Sequence, residues 1–560
     1  MSFDPTPAQN AIRESTESSI LISAPAGCGK TEAIALRVEG LIARQQVTAP
    51  RQVLALTYSN RATENLRERC YSRLRTGSQR ERVVIQNFHG FAMRVLAAHC
   101  RLVGINDWPL TYPTNDVIGS WLNATKFSNR FGVRDAIYED LRLVKQTAME
   151  DADVVSHLQH PVAIEFEKWR QSSRILTYDD VIRYADILLG REGVANLYQQ
   201  RFPFVMLDEF QDTTPQQLRI ATRVAPTGVT FAGDVGQGIY RFTGAAPDEI
   251  EKFAEQNTTQ KFLLEESHRS SPSVLDSYNA LANVARTRTL RCARPHAWPG
   301  SGISAGVTFE TWEDEASWVC QLAHFLNTKS PAARIGILSP NANRRRRIDE
   351  QLDLTQLPHY RWDAPLHDPV VAPVLKRILL LLSEMGEACL ERDDFDVRTL
   401  IPDTRFHDAE AARNYESGLQ WIVSGLMEST PQELLSALKV GKRDSLLTEP
   451  GIHQLTAHTG KGLQFDWVII PGMEEGNMPF YGTETRDEER DQARVLSVMI
   501  SRARFGVIFC HSKMFLAATG REMRQPFSRY GSMLGNVKNL DALRAWLIKL
   551  DWSAVNTMIG

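Results

Sequence analysis

No stretch of the chain approaches the ~18 uninterrupted apolar residues that a membrane-spanning helix requires. The longest apolar run, Ile378 to Leu382, suits a buried helix. Cysteine is sparse: seven residues stand scattered at 28, 70, 100, 292, 320, 389 and 510. No two of them have C-x-x-C spacing, and the count is odd. A disulfide framework and a zinc site are therefore not expected, and a reducing cytoplasm is the expected compartment. The opening Met1-Ser2-Phe3-Asp4-Pro5 has no basic region followed by an apolar core, so no secretory signal is expected. An excess of basic charge is also missing. Lys+Arg is 64 and Asp+Glu is 67, a net charge of −3, so any nucleic-acid surface must be a local cleft.

What is present is ordinary folded protein: 43% hydrophobic and 23% charged residues over 560 positions. That length corresponds to about three to four domain-sized units. Strand patterns at Ser19 to Ser23, Gln52 to Tyr58, Val83 to Phe88, Phe204 to Asp208 and Val229 to Gly233 alternate with helical ones. The alternation implies βαβ units and a parallel sheet. A second set is expected at Lys261 to Glu265, Val307 to Trp312, Arg334 to Ser339, Gln454 to His458, Trp467 to Pro471 and Val507 to Cys510. The expected segmentation is 1–91 with 176–260 for a first α/β lobe and 261–359 with 451–535 for a second. A helical insertion at 92–175, a helical region at 360–450 with a reduced insertion, and a tail at 536–560 complete it. Segment 287–306, rich in Arg, Pro and Gly, reads as a loop over the second sheet.

Two motifs carry chemistry by themselves. Ala24-Pro25-Ala26-Gly27-Cys28-Gly29-Lys30-Thr31 follows a strand and opens a helix. It matches G-x-x-x-x-G-K-[ST], with Ala24 in place of the first glycine. Small residues let backbone N–H groups curl around phosphate, and the helix N-terminus adds positive charge. Lys30 would reach the β- and γ-phosphates and Thr31 would ligate Mg²⁺. Cys28 reads as a spacer ahead of a reactive thiol. The second motif is an apolar strand, Val205-Met206-Leu207, ending in Asp208 and Glu209. Adjacent acids there ask for a cation. Asp208 is placed to hold Mg²⁺, and Glu209 to orient and deprotonate the attacking water.

With these residues in hand, the chain resembles a superfamily 1A helicase of the UvrD/Rep/PcrA type. Pro7-Ala8-Gln9 resembles the Q motif, whose Gln reads adenine. Leu56-Thr57-Tyr58-Ser59-Asn60-Arg61-Ala62 resembles motif Ia and Phe88-His89-Gly90 motif Ib. Leu207 to Asp212 is motif II almost letter for letter, and Gly233 to Tyr240 resembles motif III. Ser267-His268-Arg269-Ser270 resembles motif IV, Leu455 to Leu463 motif V, and Ser501-Arg502-Ala503 the end of motif VI.

The resemblance implies two RecA-like P-loop NTPase lobes with parallel sheets, each interrupted by a mainly helical insertion. ATP would lie between the lobes and single-stranded DNA across their top. It implies that Gln237 senses the γ-phosphate and that Arg269 and Arg502 neutralise the phosphoryl transition state. Nucleotide contacts are implied for Gln9, Ala24, Ala26, Gly27, Cys28, Gly29, Lys30, Thr31, His268 and Gln464. DNA contacts are implied for Thr57, Tyr58, Ser59, Asn60, Phe88, His89, Tyr240, Phe242 and His458, where aromatics stack on bases and polar groups hold phosphates. The Arg344 to Arg347 run reads as a charged helix face ahead of a phosphate contact.

The chain also departs from the family pattern. Thr243 stands where motif III carries Arg, His268 where motif IV carries Tyr, and Gln464 where motif V carries Glu. The region of the large 2B subdomain is short and lacks its duplex-contact motif. The implied activity is a single-strand-stimulated, 3′-to-5′ DNA helicase or translocase acting at single strands and duplex junctions. The competing expectation is a DNA-sensing ATPase subunit that recruits an OLD-family nuclease, as in a Gabija-type anti-phage system.

Overall fold

In a computed structural model, the chain is described over residues 4–106, 117–123, 125, 133–147, 149–241, 244–355, 357–362, 371–385, 397–400, scattered positions between 415 and 434, 449–516, 522–535 and 539–559. It divides into two compact units, Met1–Glu265 and Glu266–Gly560.

The first unit is built on six strands: β1 (Ile20–Ser23), β2 (Val53–Thr57), β3 (Val83–Asn87), β4 (Phe204–Asp208), β5 (Val229–Gly233) and β6 (Gln260–Leu263). Their order across the sheet is β3-β2-β4-β5-β1-β6, and every pairing is parallel. A parallel sheet needs both faces covered, so its strands read as continuous apolar runs. Leu21, Leu54, Leu56, Val205, Leu207 and Phe231 accordingly pack with Phe91, Val95, Leu188 and Ile220 from the covering helices. Side-chain caps fix where those helices begin. Ser59 accepts from the Ala62 N–H, Asn87 from Gly90, Thr177 from Asp180 and Thr214 from Gln217.

The segment expected as a helical insertion is helical where described, with its own core of Trp121, Ile137, Leu141 and Phe166. A buried ionic cluster ties it to helix Tyr178–Leu189. Lys145 Nζ sits 3.0 Å from both Glu167 Oε2 and Asp180 Oδ1. Arg170 and Arg183 add cations to the same group, and Asp151 adds a carboxylate.

The second unit carries β7 (Glu266–Ser267), β8 (Arg291–Cys292), β9 (Ile303–Thr311), β10 (Arg334–Ser339), β11 (His359–Arg361), β12 (Gly451–Thr456), β13 (Phe465–Ile470), β14 (Ala503–Leu516) and β15 (Glu522–Arg524). The main sheet runs β11-β12-β10-β13-β14-β15, with β9 parallel to β14 and only β15 antiparallel. Helices Leu540–Lys549 and Trp552–Ile559 cover it through Leu543, Leu547 and Val555. The apolar run Ile378 to Leu382 lies in helix Val371–Met385, with Ile378, Leu379 and Leu382 buried. Among the described residues no helix is long and apolar enough to cross a membrane.

Three expectations change. The strand expected to open the second set pairs with β1 and closes the first sheet, so the division falls after Glu265. It is an edge strand with one buried side chain, Phe262, too short to announce its sheet. The 287–306 loop ends earlier, because Ile303 begins β9 in register with Gly506 of β14. The Arg344 to Arg347 run does lie on a helix, Ala342–Asp353, but Arg344 and Arg345 are buried. Arg344 Nε and Nη2 reach Glu474 at 3.0 and 2.6 Å, and Nη2 reaches Glu315 Oε2 at 2.5 Å.

Candidate nucleotide and nucleic-acid site

The carboxyl ends of β1, β5, β4 and β2 are neighbours in the first sheet, which is where parallel sheets offer ligand sites. After β1 the chain turns through Gly27 at φ 81° and Gly29 at φ 80°, then enters helix Lys30–Ala43. Left-handed backbone of that kind favours glycine. At Gly29 a Cβ would also meet Gln9 Nε2 at 2.5 Å. Ala24 is fully buried, and its N–H donates to the Gly233 carbonyl at 2.9 Å. It therefore anchors the loop to β5. Ala26 and Cys28 are also buried in the turn. Gln9 Oε1 accepts from the Thr6 N–H at 3.0 Å, and Nε2 donates to the Gly29 carbonyl at 3.3 Å. Its carboxamide is engaged with its own helix cap and with the loop.

Lys30 is ion-paired with Glu209. Burial opposes its charge, but Glu209, Asp208 and Asp212 outweigh burial and hold its pKa above the ordinary value. Burial pushes the Asp208 carboxyl up to about 7; Lys30 pulls it down and Glu209 pushes it further up. Glu209 adopts a left-handed backbone, φ 55° and ψ 47°. Such strain in a non-glycine residue gathers at functional sites. Gln211 Nε2 donates to the Glu209 carboxylate, and its Oε1 accepts from the Asp234 N–H at 2.9 Å. Asp234 accepts from the Gly236 N–H at 3.1 Å and from Gln237 Nε2 at 3.0 Å. Burial raises the Asp234 carboxyl, and the Gln237 and Gly236 hydrogen bonds oppose the rise.

Thr31 and Asp208 offer hard oxygen donors next to the loop, a donor set that fits Mg²⁺. Among the described residues no group of three or more His, Cys, Asp or Glu could hold a metal ion. Mg²⁺ held by one carboxylate, one hydroxyl and substrate phosphates needs no such group.

Tyr58, just beyond β2, and Tyr240, beyond β5, stack with ring centroids 5.3 Å apart and planes 16° apart. Tyr58 is 41% exposed. Asn60 accepts from Asn87 Nδ2 at 2.6 Å, which joins the two turns after β2 and β3. His89 packs edge-on against Tyr178 at 5.2 Å, and burial lowers its pKa to about 4. Two expected DNA contacts point elsewhere. Phe88 is 3% exposed and packs in the core with Phe91. Thr57 is fully buried, with its hydroxyl 2.7 Å from that of Thr63 and donating to the Ser59 carbonyl at 3.1 Å. Ser59 is occupied as the cap of helix Asn60–Arg73. Phe242 and Thr243 lie outside the described residues.

In the second unit, Arg269 and Arg502 meet around Ser501. Arg269 Nη1 donates to the Ser501 carbonyl at 3.4 Å, and Arg502 Nη2 to its hydroxyl at 2.8 Å. Arg502 is buried and also donates to the Val498 carbonyl at 3.0 Å. His268 and Gln464 are exposed; His458 is half-buried on the short turn Ala457–Gly460 that follows β12. Sequence reading gave no role to Gln211 or Asp234. Asp234 was findable by the signal that marked Asp208, an acid ending an apolar strand. Gln211 was not, because its partners come from two strands.

A glycine loop on β1, a strained acidic pair on β4 and a capped turn on β5, all at one sheet edge, define a P-loop NTPase lobe of RecA-like architecture. The chain belongs to the UvrD-like helicase family. It matches the UvrD/REP helicase N-terminal domain over residues 5–258 and the UvrD-like helicase C-terminal domain over residues 408–513. It is similar to proteins named ATP-dependent DNA helicase UvrD1 from Mycobacterium tuberculosis and Mycobacterium bovis, 27% identical over 346 residues. That similarity covers 57% of this chain and 44% of the relative, so the chain spans less than half the length of those relatives. It is also similar to a protein named ATP-dependent DNA helicase PcrA from Staphylococcus aureus, 24% identical over 613 residues, with 90% of this chain and 82% of the relative covered.

Proposed function

We propose that the chain is an ATP-dependent DNA helicase or translocase whose ATP hydrolysis is stimulated by single-stranded DNA. The observation that carries this reading is the convergence at one sheet edge of Lys30, Asp208, Glu209, Gln237 and the Tyr58–Tyr240 pair. In this reading Lys30 leaves Glu209 for the phosphates and the freed carboxylate accepts a proton from the attacking water. Thr31 and Asp208 hold Mg²⁺, which supplies charge neutralisation at the phosphates. Arg269 and Arg502 contribute guanidinium charge to the phosphoryl group. Reading adenine through Gln9 requires its carboxamide to leave Thr6 and Gly29. Tyr58 and Tyr240 present ring faces to bases, while Asn60, His89 and His458 hold the strand backbone.

The reading takes its 3′-to-5′ direction from the family. The cytoplasmic location in this reading comes from the sparse, scattered cysteines of the sequence. The nuclease-recruiting alternative rests on the sequence departures alone. ATP turnover measured with and without single strands, beside unwinding of a 3′-tailed duplex, tests the proposal. Stimulation with strand separation is expected, and no stimulation by any single strand would sink it. Stimulation without separation would favour the sensor-subunit alternative.

A further inference from the structure

The residues that lead into β9 form a basic strap that the proposed chemistry does not use. Between Asp276 and Glu310 the chain has no acid, yet it carries Arg286, Arg288, Arg291, Arg294 and His296. The backbone there is firmly held. Arg286 ends the short helix Ala282–Ala285 in left-handed backbone, φ 51°. The Asn279 side chain grips Leu290 from both sides, donating to its carbonyl at 2.8 Å and accepting from its N–H at 2.7 Å. Leu290 is buried, and the Ala293 N–H donates to the Ser267 carbonyl at 3.0 Å. Glu266 of β7 stands in register with Arg291 of β8. Among the described residues Arg286, Arg288 and Arg294 form no ion pair, and Arg286 and Arg294 are exposed. Elsewhere on this unit arginines do find acids: Arg504 lies 2.7 Å from Asp466 and Arg529 3.0 Å from Glu475. Like charges left unneutralised on a stiff loop repel one another and attract a polyanion. The segment has no lysine, and the guanidinium fork matches phosphate.

We propose that Arg286, Arg288 and Arg294 form a docking surface for the phosphate backbone of duplex DNA. Two observations select duplex. The first is that residues 286–301 expose no Phe, Tyr or Trp: Trp298 is half-buried, 6.4 Å from the Phe505 ring. Sites for single strands join cations to stacking faces. A duplex keeps its bases stacked inside and presents phosphates, which cations alone can hold. The second is position. Strands β9, β10, β12, β13 and β14 run parallel, so their amino ends share one edge of the sheet. The strap enters β9 at that edge, whereas the His458 turn leaves β12 at the opposite one. At ~3.3 Å per residue the length of β12 separates the edges by about 20 Å. The strap therefore lies off the strand path that includes His458. The proposal goes beyond the ATPase reading, because duplex held there needs no turnover. Arg269 and Arg502 lie at the amino edge too, so nucleotide phosphate is the rival occupant.

The test measures binding of a blunt-ended, fluorescently labelled duplex to the full chain, without nucleotide, over a series of salt concentrations. The parent is compared with a triple variant, Arg286→Gln with Arg288→Gln and Arg294→Gln. The duplex Kd at low salt should rise about tenfold or more in the variant. The slope of log affinity against log salt should become shallower by about 2–3, close to 0.9 for each lost phosphate contact. Affinity for a single strand and the KM for ATP should stay within about twofold of the parent. If the triple variant does not fold, the single exposed change Arg294→Glu supplies the same readout with a smaller shift. A parent that does not bind duplex, or a variant with the parent's Kd and salt slope, would overturn the proposal. Equal losses on duplex and single strand would return the strap to the strand path. A raised KM for ATP with duplex affinity intact would assign it to nucleotide. Polyglutamate that displaces duplex from the parent as well as unlabelled duplex does would replace DNA with an acidic protein.

Discussion

Each unit buries a cation between two carboxylates, and the two arrangements differ in what they leave unfinished. In the second unit Arg344 is gripped by Glu315 and Glu474, and both carboxylates find further donors. Glu315 accepts from the Gly472 N–H at 3.2 Å and the Ser512 hydroxyl at 2.9 Å, and Glu474 from the Ser512 N–H at 2.9 Å. The guanidinium also lies 5.2 Å from the Trp312 ring and 5.6 Å from Phe515. Burial pushes Glu315 up while Arg344 pulls it down. In the first unit Lys30 stands on a glycine loop, Glu209 sits in strained backbone and Asp208 is pushed up to about 7. Both carboxylates are fully bonded, although Arg344 Nη1 has no hydrogen-bond partner among the described residues, and such a cluster is a staple. A strained, mismatched one is poised to receive charge. Under the proposed function, a cation with two carboxylates serves structure in one place and chemistry in the other, and the backbone that carries them differs.

That contrast breaks if the two cations respond alike to removal. Lys30→Ala should cut ATP turnover by about 10³-fold or more, since under the proposed function Lys30 would hold the phosphates in the transition state. The melting temperature should barely move, because the loop rests on glycines and Ala24. Arg344→Ala should do the reverse. Leaving Glu315 and Glu474 buried without their cation costs about 3–5 kcal/mol in denaturant unfolding, and any folded protein should keep its KM for ATP. A stable, inactive Arg344→Ala protein would erase the distinction.

A smaller effect sharpens the comparison within the first unit. Tyr58→Ala should weaken single-strand binding by about 1–3 kcal/mol, read by fluorescence anisotropy. Phe88→Leu, a change in the core, should leave that affinity unchanged. The last effect is a pH dependence shared by both units. Burial lowers His89 to about 4 in the first, and burial with Arg334 lowers His453 to about 3 in the second. Both stay neutral in the fold while the unfolded chain takes up protons below about pH 6.5. Stability should be full above that pH and decline as pH falls through the folded values, His89 levelling off first. His89→Gln should flatten its part of the curve in a melting series from pH 7 to about 4.

Much of this was legible in the sequence. The strands Phe204–Asp208, Val229–Gly233 and Arg334–Ser339 coincide with the apolar runs that announced them. The loop before Lys30 was marked by its glycines and by its place between strand and helix. The misread residues share one physical cause: distant partners decided them. Four consecutive arginines look solvated until Glu315 and Glu474, 29 and 130 positions from Arg344, fold over one of them. Phe88 opens a helix and looked presented to a ligand. Its place three residues before Phe91 puts both on one helix face, and that face is the core. Gln211 carried no signal because its meaning lies in the gap between two strand ends.

The pairing of β6 with β1 also has a practical side. The first unit is one unbroken length of chain, from its opening helix to the edge strand that completes its sheet. A protein chemist wishing to study nucleotide binding in isolation would cut after Glu265 and keep all six strands. A cut five residues earlier would strip Lys261, Phe262 and Leu263 from the flank of β1 and leave bare the very strand that carries the glycine loop.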